Sequence, residues 1–403
     1  MSVLAAPANR SNVSIWVSFL LLILGTVGAF QVVGPNQALL FLIGGALGMT
    51  LYHASFGFTS SWRVFIKERR GRGLRAQMIM LALAVLLFFP ALGAGELFGN
   101  PVKGNVSPVS MSVMIGAFIF GIGMQLGGGC ASGTLYTVGS GSMRMIVTLF
   151  FFCTGSLIAT THLDWWFALP HLAPISVVHS LGVIPALVLN FVLFAAIAAA
   201  TVYFEKKRHG SLESEPQSQN QGFKRFLRGP WPLVWGGIIL TLLNFATLAL
   251  AGRPWGVTSA LAVWAAKSAS FIGFDVASWS YWQQPANAKA LTESLWFDIT
   301  SMMNFGIMLG ALLAASLAGK FAPNFNIPKR SLAAAVIGGL MLGYGARLAY
   351  GCNIGAYFSG IASGSLHGWL WLIFAFIGNG IGVKLRPIFF PGERPQPEKL
   401  TGC

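Results

Sequence analysis

Two cysteines offer the most specific chemistry in the chain. Cys130 and Cys352 each follow a glycine, Gly129 and Gly351. Each is followed within three residues by another glycine, in Cys130-Ala-Ser132-Gly133 and Cys352-Asn353-Ile-Gly355. A thiol donates and accepts hydrogen bonds only weakly, which suits a soft, sulfur-bearing ligand that must be released again. Neither a C-x-x-C pair nor paired histidines accompany them, so the sequence predicts no metal site and no cofactor. Two alternatives stay open. One is a structural disulfide, for which flexible glycine loops are a poor place, and the other is packing as small hydrophobes. Cys153, in the apolar run LFFFCTGSL, reads as a packing residue, and Cys403, the last residue, is expected to be disordered.

The residues around the two cysteines show how an anion would be held. A helix starting just after each one would aim unpaired backbone N–H groups at the loop, and each helix N-terminus is worth roughly +0.5 charge. Two further breaks, Gly57-Phe-Thr59-Ser60 and Gly256-Val-Thr258-Ser259, would add two more termini, with Thr59 and Thr258 as hydroxyl donors. Four such termini roughly balance a dianion without a permanent cation, and a site that is not too strong can let its cargo go.

Arg347 lies five residues before Cys352 inside an apolar run. There a midplane arginine costs about 2.5–3.5 kcal/mol on insertion scales, so a role in attracting anions is favoured over snorkelling or pairing with an acid. Lys267 fits an interface equally well. Asp298 reads as a helix cap or the partner of a base, and His53 as a packed or capping residue. His162, His171 and His179 fall in or beside a connection rich in aromatics and proline. No G-x-x-x-x-G-K-[ST] motif is present, so the chain is not expected to power pumping by itself.

The elements that must position these residues follow from composition. Of 403 residues 55% are hydrophobic and 9% charged, against roughly 25% charged in an ordinary soluble domain. Such a chain cannot cover itself in water, which excludes a soluble enzyme, a secreted disulfide scaffold and a DNA-binding module. The net charge of +15 sits mostly in short stretches between apolar runs, where it sets membrane orientation rather than binding nucleic acid. The 49 glycines fall largely inside apolar regions, as helix packing and broken helices both require.

Apolar runs of about 20 residues, each roughly enough to cross a bilayer core, predict an all-α polytopic membrane protein of about 10–11 helical segments, some broken or re-entrant. They lie at 14–34, 38–54, 75–95, 109–126, 144–162, 182–204, 231–251, 255–272, 296–319, 331–349 and 367–389. The first reads as a retained helix, since no cleavage site follows it. The stretch from Arg63 to Arg75 is densely basic and expected to be cytoplasmic. Residues 205–230 turn polar and breaker-rich, predicting a flexible cytoplasmic linker.

The halves flanking that linker repeat each other. Without a gap, Gly121, Gly123, Leu126, Gly129, Cys130 and Gly133 meet Gly343, Gly345, Leu348, Gly351, Cys352 and Gly355, and Gln125 meets Arg347. After a one-residue gap Gly139-Ser-Gly-Ser142 meets Ala362-Ser-Gly-Ser365, and upstream Gly57 and Thr59 meet Gly256 and Thr258. We therefore expect a single membrane domain over 1–403, with a first repeat at 36–162 and a second at 250–390. Whether the repeats are parallel or inverted is open at this point. Interrupted apolar segments at matching places point to a transport site near the midplane.

The segments GGGCASGTLYTVGSGS (127–142) and YGARLAYGCNIGAYFSGIASGSLHGWLW (344–371), with GFTSSWRVF (57–65) more weakly, resemble the YeeE/YedE family of sulfur-compound permeases. The resemblance implies uptake of thiosulfate, or of selenium compounds in some members, by a multi-pass protein of the prokaryotic inner membrane. It also implies an anion passed between cysteines through S–H···S hydrogen bonds at an hourglass constriction. Carried over, two of those cysteines are Cys130 and Cys352. The family's first cysteine, in a pattern like R-F-C-F-T-G, is matched here by Ser55-Phe-Gly57-Phe-Thr-Ser60, so glycine stands in its place.

The expectation is thus a permease, not an enzyme, for a small sulfur-containing anion, thiosulfate first. Its contacts would be Cys130, Cys352, Gly129, Gly351, Ser132, Gly133, Asn353, Gly355, Gly57, Thr59, Gly256, Thr258 and Arg347. Partners would be the bilayer and a cytoplasmic sulfurtransferase-like protein as candidate acceptor, with no nucleic acid. The alternatives are a selenium-compound transporter and a membrane persulfide carrier whose thiols react with sulfane sulfur.

Overall fold

A computed structural model describes residues 12–214 and 220–391. Cys403 and part of the expected linker lie outside them. The chain runs through α1 (Asn12–Val32), α2 (Pro35–Ala54), α3 (Phe58–Glu68), α4 (Arg72–Ala94), α5 (Met111–Gly127), α6 (Ala131–Gly139) and α7 (Met143–Thr160). Short helices α8 (Leu163–Ala168) and α9 (Val177–Leu181) lead to α10 (Val183–His209) and α11 (Gly222–Arg228). The second half has α12 (Leu233–Ala251), α13 (Thr258–Phe271), the short α14 (Ser280–Gln283) and α15 (Pro285–Thr292), α16 (Ile299–Leu317) and α17 (Lys329–Leu348). A π-helical turn, Asn353–Ser359, then runs into α18 (Gly360–Ala362) and α19 (Leu366–Phe389). Among the described residues strands are confined to two-residue pairs, Glu96–Leu97 with Asn100–Pro101 and Val109–Ser110 with His171–Leu172. The fold is therefore all-α and polytopic, as its composition predicts.

Ten helical spans among the described residues are long and apolar enough to cross a membrane, and two of them, Pro35–Glu68 and Met111–Gly139, are broken. The breaks have local causes. Ser55 takes φ 46° and closes α2, and Gly128 takes φ 92° and closes α5. A residue in the left-handed region cannot continue a helix and caps its free carbonyls. After Gly57 the chain turns helical again as α3, where the sequence reads only a break and a basic stretch. Phe58, Trp62 and Phe65, spaced i, i+4, i+7, are its buried face.

One end of the molecule is basic. There Arg70 and Arg75 pair with Glu205 near the end of α10, and Arg208 donates to the Lys67 carbonyl. At the opposite end Lys103 N–H donates to Gly252 O at 2.8 Å, and Val177 N–H to Gly364 O at 2.8 Å. Helices α2, α5, α10, α16 and α19 run toward the basic end, and α4, α7, α12 and α17 run away from it. Helix α10 continues five residues past its expected end at 204. The buried Glu205 carboxylate accepts from Gly71 N, Arg75 Nη1 and Glu213 N at 2.9, 2.7 and 2.7 Å. The cationic run Lys206–His209 suits a helix C-terminus. Helix α11 likewise occupies part of the expected linker.

The centre is built by glycine. Helices surrounded by lipid gain little from apolar contact with each other, so backbones must approach closely. Gly121 of α5 lies against Ala375 and Asn379 of α19, and Gly343 of α17 lies against Phe152 and Ser156 of α7. Between those pairs α5 and α17 cross antiparallel, Gly338 against Gly127 and Gly345 against Gly116. Gly44 and Gly48 of α2 meet Met303 and Ile307 of α16 in the same way. At the periphery α10 exposes Ile184, Val188 and Val192, and α1 exposes Trp16, Leu20 and Leu24, as lipid-facing helices do.

Candidate functional site

Both cysteines are helix N-caps. The Cys130 Sγ accepts from Gly133 N–H at 3.4 Å and lies 3.4 Å from Ser132 Oγ, and its carbonyl accepts from Thr134 N–H at 2.8 Å. The Cys352 Sγ accepts from Ile354 N–H at 3.4 Å, and its carbonyl accepts from Ala356 N–H at 2.8 Å. A thiol whose lone pair is held by a backbone N–H has its S–H proton directed elsewhere. Both residues are buried, and the three described cysteines form no disulfide. Cys153 packs, half-buried, against the core.

Four helix starts face the breaks: α3 after Gly57, α6 after Cys130, α13 after Val257 and the π-helical turn after Cys352. Rings bring two of them together. Tyr357 stacks on Trp371 with centroids 6.2 Å apart, and meets Phe58 and Trp62 of α3 edge-on at 5.9 and 6.0 Å. Helix α6 touches the same π-helical turn.

Several buried polar groups at this junction have no hydrogen-bond partner: both amide atoms of Asn353, the Thr59 hydroxyl and the Tyr357 hydroxyl. Native structures leave few such groups unsatisfied. Next to Asn353, Gly355 is buried, yet a Cβ built on it would meet no atom within 4 Å. An internal space therefore adjoins the Cys352 turn. Gly256 also faces open space. Gly57, in contrast, is filled from outside: its φ of −109° suits any residue, but a Cβ there would overlap the hydroxyl of Ser60. That hydroxyl donates to Gly57 O at 3.1 Å.

The residues at the matched positions 125 and 347 act alike. Gln125 Nε2 donates to Thr59 O at 3.1 Å and to Asn379 Oδ1 at 3.1 Å. Arg347 Nη2 donates to Thr258 Oγ1 at 3.0 Å and Nη1 to the Tyr281 hydroxyl at 3.4 Å. Each side chain thus ties the first turn of a neighbouring helix to the central quartet of glycine-packed helices, α5, α7, α17 and α19. No carboxylate pairs with Arg347 among the described residues.

Three asparagines that sequence reasoning passed over complete the frame. Asn244 donates to Ser359 Oγ at 3.2 Å and accepts from Trp255 N–H at 2.8 Å. Asn304 donates to Val257 O at 3.0 Å, and Asn379 holds Gln125. A lone amide inside an apolar run is the signal that marks them. Of the other titratable residues, Asp298 caps α16 by accepting from Ser301 N–H at 2.9 Å. Lys267 closes a loop by donating to Leu291 O and Glu293 O, each at 2.6 Å. His53 is buried with its ring 5.2 Å from that of Trp231. His162 bonds the Tyr344 hydroxyl at 2.7 Å, and His171 and His179 are exposed at the end opposite the basic one.

With the geometry in hand, known proteins supply the comparison. A family profile described as sulphur transport matches residues 53–381. The chain is 29% identical over 362 residues to the thiosulfate transporter TsuA of Spirochaeta thermophila, covering 84% of this chain and 95% of that protein. It is 23% identical over 347 residues to the thiosulfate transporter TsuA of Escherichia coli, covering 84% and 91%. The probable transporter YedE of Escherichia coli matches at 33% over 162 residues, 40% of this chain and 39% of that one. The family match begins at the end of α2 and ends within α19, taking in both cysteine-capped helices and both threonine breaks: the chain belongs to the sulphur transport family.

Proposed function

We propose that the protein is a permease that moves thiosulfate through the glycine-cysteine breaks into the cytoplasm, in the inner membrane of a prokaryote. The observation that carries this reading is the buried, unpaired Asn353 amide beside the empty space at Gly355, one and three residues after Cys352. A small oxyanion seated there would satisfy the amide and take backbone N–H groups from the helix start. Its terminal sulfur would lie near the thiol. Cys352 and Cys130 would each offer a weak S–H donor, so that no step along the route sits in a deep well. Backbone N–H groups with Thr59, Thr258, Ser132 and Asn353 would hold the oxygens, Gly129, Gly133 and Gly351 would let the backbone come close, and Arg347 would raise the local anion concentration.

The repeats at 36–162 and 250–390 are read as inverted, since matched helices α5 and α17 run in opposite directions, as do α7 and α19. The basic end is read as cytoplasmic, and there a sulfurtransferase-like protein would collect the product.

The test is uptake of labelled thiosulfate by purified protein in liposomes, with sulfate, sulfite and selenite as competitors. Saturable uptake resistant to sulfate is expected, and so is its loss in a folded Cys352→Ala variant. Cys130→Ser should keep residual uptake, because a hydroxyl still hydrogen-bonds. Full uptake by Cys352→Ala would sink the thiol relay.

A further inference from the structure

Two of the four helix starts at the breaks are capped by thiols: Cys130 Sγ takes Gly133 N–H and Cys352 Sγ takes Ile354 N–H. No side chain accepts from the start of α3. The first N–H groups of that helix are therefore left for another acceptor. Thr59, in the same turn, is 1% exposed, and its hydroxyl has no hydrogen-bond partner. The space that a side chain at Gly57 would fill is taken by Ser60 Oγ, which turns back from the third residue of α3.

The matched break is built differently. Ser259, the counterpart of Ser60, donates to Thr300 Oγ1 at 3.2 Å, and Gly256 faces open space. Ser60 thus fills its break, whereas Ser259 leaves its own empty. The Ser60 hydroxyl makes one hydrogen bond among the described residues, to Gly57 O at 3.1 Å. That carbonyl also accepts from Ser61 N–H at 3.1 Å. The hydroxyl can therefore swing its proton to an arriving oxygen without leaving the carbonyl unpaired. One hydrogen bond is exchanged for another, so the anion is held only weakly there. Beyond Ser60, Arg63 and Lys67 follow at i+3 and i+7 on one face of α3, which runs toward the basic end.

We infer that Ser60 is a specificity-determining contact: its hydroxyl makes the first break read the oxygens of the anion, while the two cysteines read its terminal sulfur. The inference rests on the reading of the protein as a thiosulfate permease and adds a residue which that reading does not use. A hydroxyl donates strongly to a charged oxygen and a thiol only weakly, so the two kinds of group hold opposite ends of thiosulfate. Sulfate has the same tetrahedral shape with an oxygen in place of that sulfur. Its weak inhibition at large excess therefore reports contacts to oxygen alone.

Initial rates of labelled thiosulfate uptake would be measured in proteoliposomes, with and without excess sulfate, for the unaltered protein, Ser60→Ala and Ser60→Cys. In Ser60→Ala we expect KM for thiosulfate and the inhibition constant of sulfate both to rise about fivefold. In Ser60→Cys the inhibition constant of sulfate should rise about as much, while KM for thiosulfate stays within about twofold, because a thiol still offers sulfur a partner. A side chain that only packs, or only holds the Gly57 carbonyl, would not move the two constants apart. Unchanged constants in a folded Ser60→Ala protein, or equal shifts for both anions in Ser60→Cys, would overturn the inference and leave the permease reading standing. So would the absence of any sulfate inhibition of the unaltered protein. If Ser60→Ala fails to fold, Ser60→Cys alone decides. Absence of uptake by the unaltered, folded protein would remove the permease reading and this inference together.

Discussion

The Arg347 guanidinium donates to the Thr258 hydroxyl at 3.0 Å across the gap between α17 and α13, while the matched Gln125 amide donates to the Thr59 carbonyl at 3.1 Å across the gap between α5 and α3. Two related positions hold two short helices by one kind of strut, yet only one strut carries charge. Arg347 is half-buried, and an arginine at membrane depth is expensive, about 2.5–3.5 kcal/mol on insertion scales, so an amide would serve as a strut at less cost.

The charge itself should therefore matter. Arg347→Gln is expected to keep the fold and to lower thiosulfate uptake at subsaturating concentration by about tenfold, equivalent to about 1.4 kcal/mol. Arg347→Lys should recover part of the loss, since it restores charge without the planar fork. Uptake by Arg347→Gln at the unaltered rate would show that position 347 is a strut only.

Glycines in the central quartet should differ sharply from glycines beside it. A methyl at Gly338 would overlap the Gly127 backbone, whereas one at Gly380 on α19 would meet nothing within 4 Å. Overpacking of this kind costs roughly 1–3 kcal/mol. Thermal unfolding in detergent, followed by loss of the monodisperse peak, should fall by roughly 5 °C for Gly338→Ala and stay within about 1 °C for Gly380→Ala. Equal melting of the two variants would contradict the close approach of α5 and α17.

Gly57 and Ser60 should behave as a coupled pair. The Ser60 hydroxyl occupies the place a side chain at 57 would take and donates to the Gly57 carbonyl at 3.1 Å. Gly57→Cys alone forces that hydroxyl to turn away and gives up its hydrogen bond, a loss on the order of 1 kcal/mol. In the Ser60→Gly background the same thiol should enter without that loss. A double-mutant cycle read by thermal unfolding measures the difference, and strictly additive shifts would show that the two positions do not touch.

Much of this architecture is legible in the residues because lipid leaves so few options. A spanning segment must satisfy its own backbone, so the apolar runs at 109–126, 231–251 and 367–389 fall within about two residues of α5, α12 and α19 at nearly every boundary. The breaks at Gly57, Cys130 and Cys352 are visible because glycine and small polar residues have little other business in such runs. Helix α3 was hidden by its short length and its basic tail, although Phe58, Trp62 and Phe65 trace its buried stripe. The frame of Asn244, Asn304 and Asn379 was hidden because a single asparagine reveals its partner only once distant segments meet. The pairing of Gln125 with Thr59, 66 positions apart, is a product of topology that no local pattern contains.

The glycine seams also have a consequence for how the chain is made. Helix α2 packs most closely against α16, α7 against α17 and α5 against α19. Each of those first-half helices enters the bilayer long before its mate exists, because the mates begin at residues 299, 329 and 366. During synthesis, lipid chains must occupy the grooves at Gly44, Gly121 and Gly155 and then be squeezed out as the later helices arrive. The seams close in turn as α16, α17 and α19 arrive, and the one between α5 and α19 can form only after the final helix has left the ribosome.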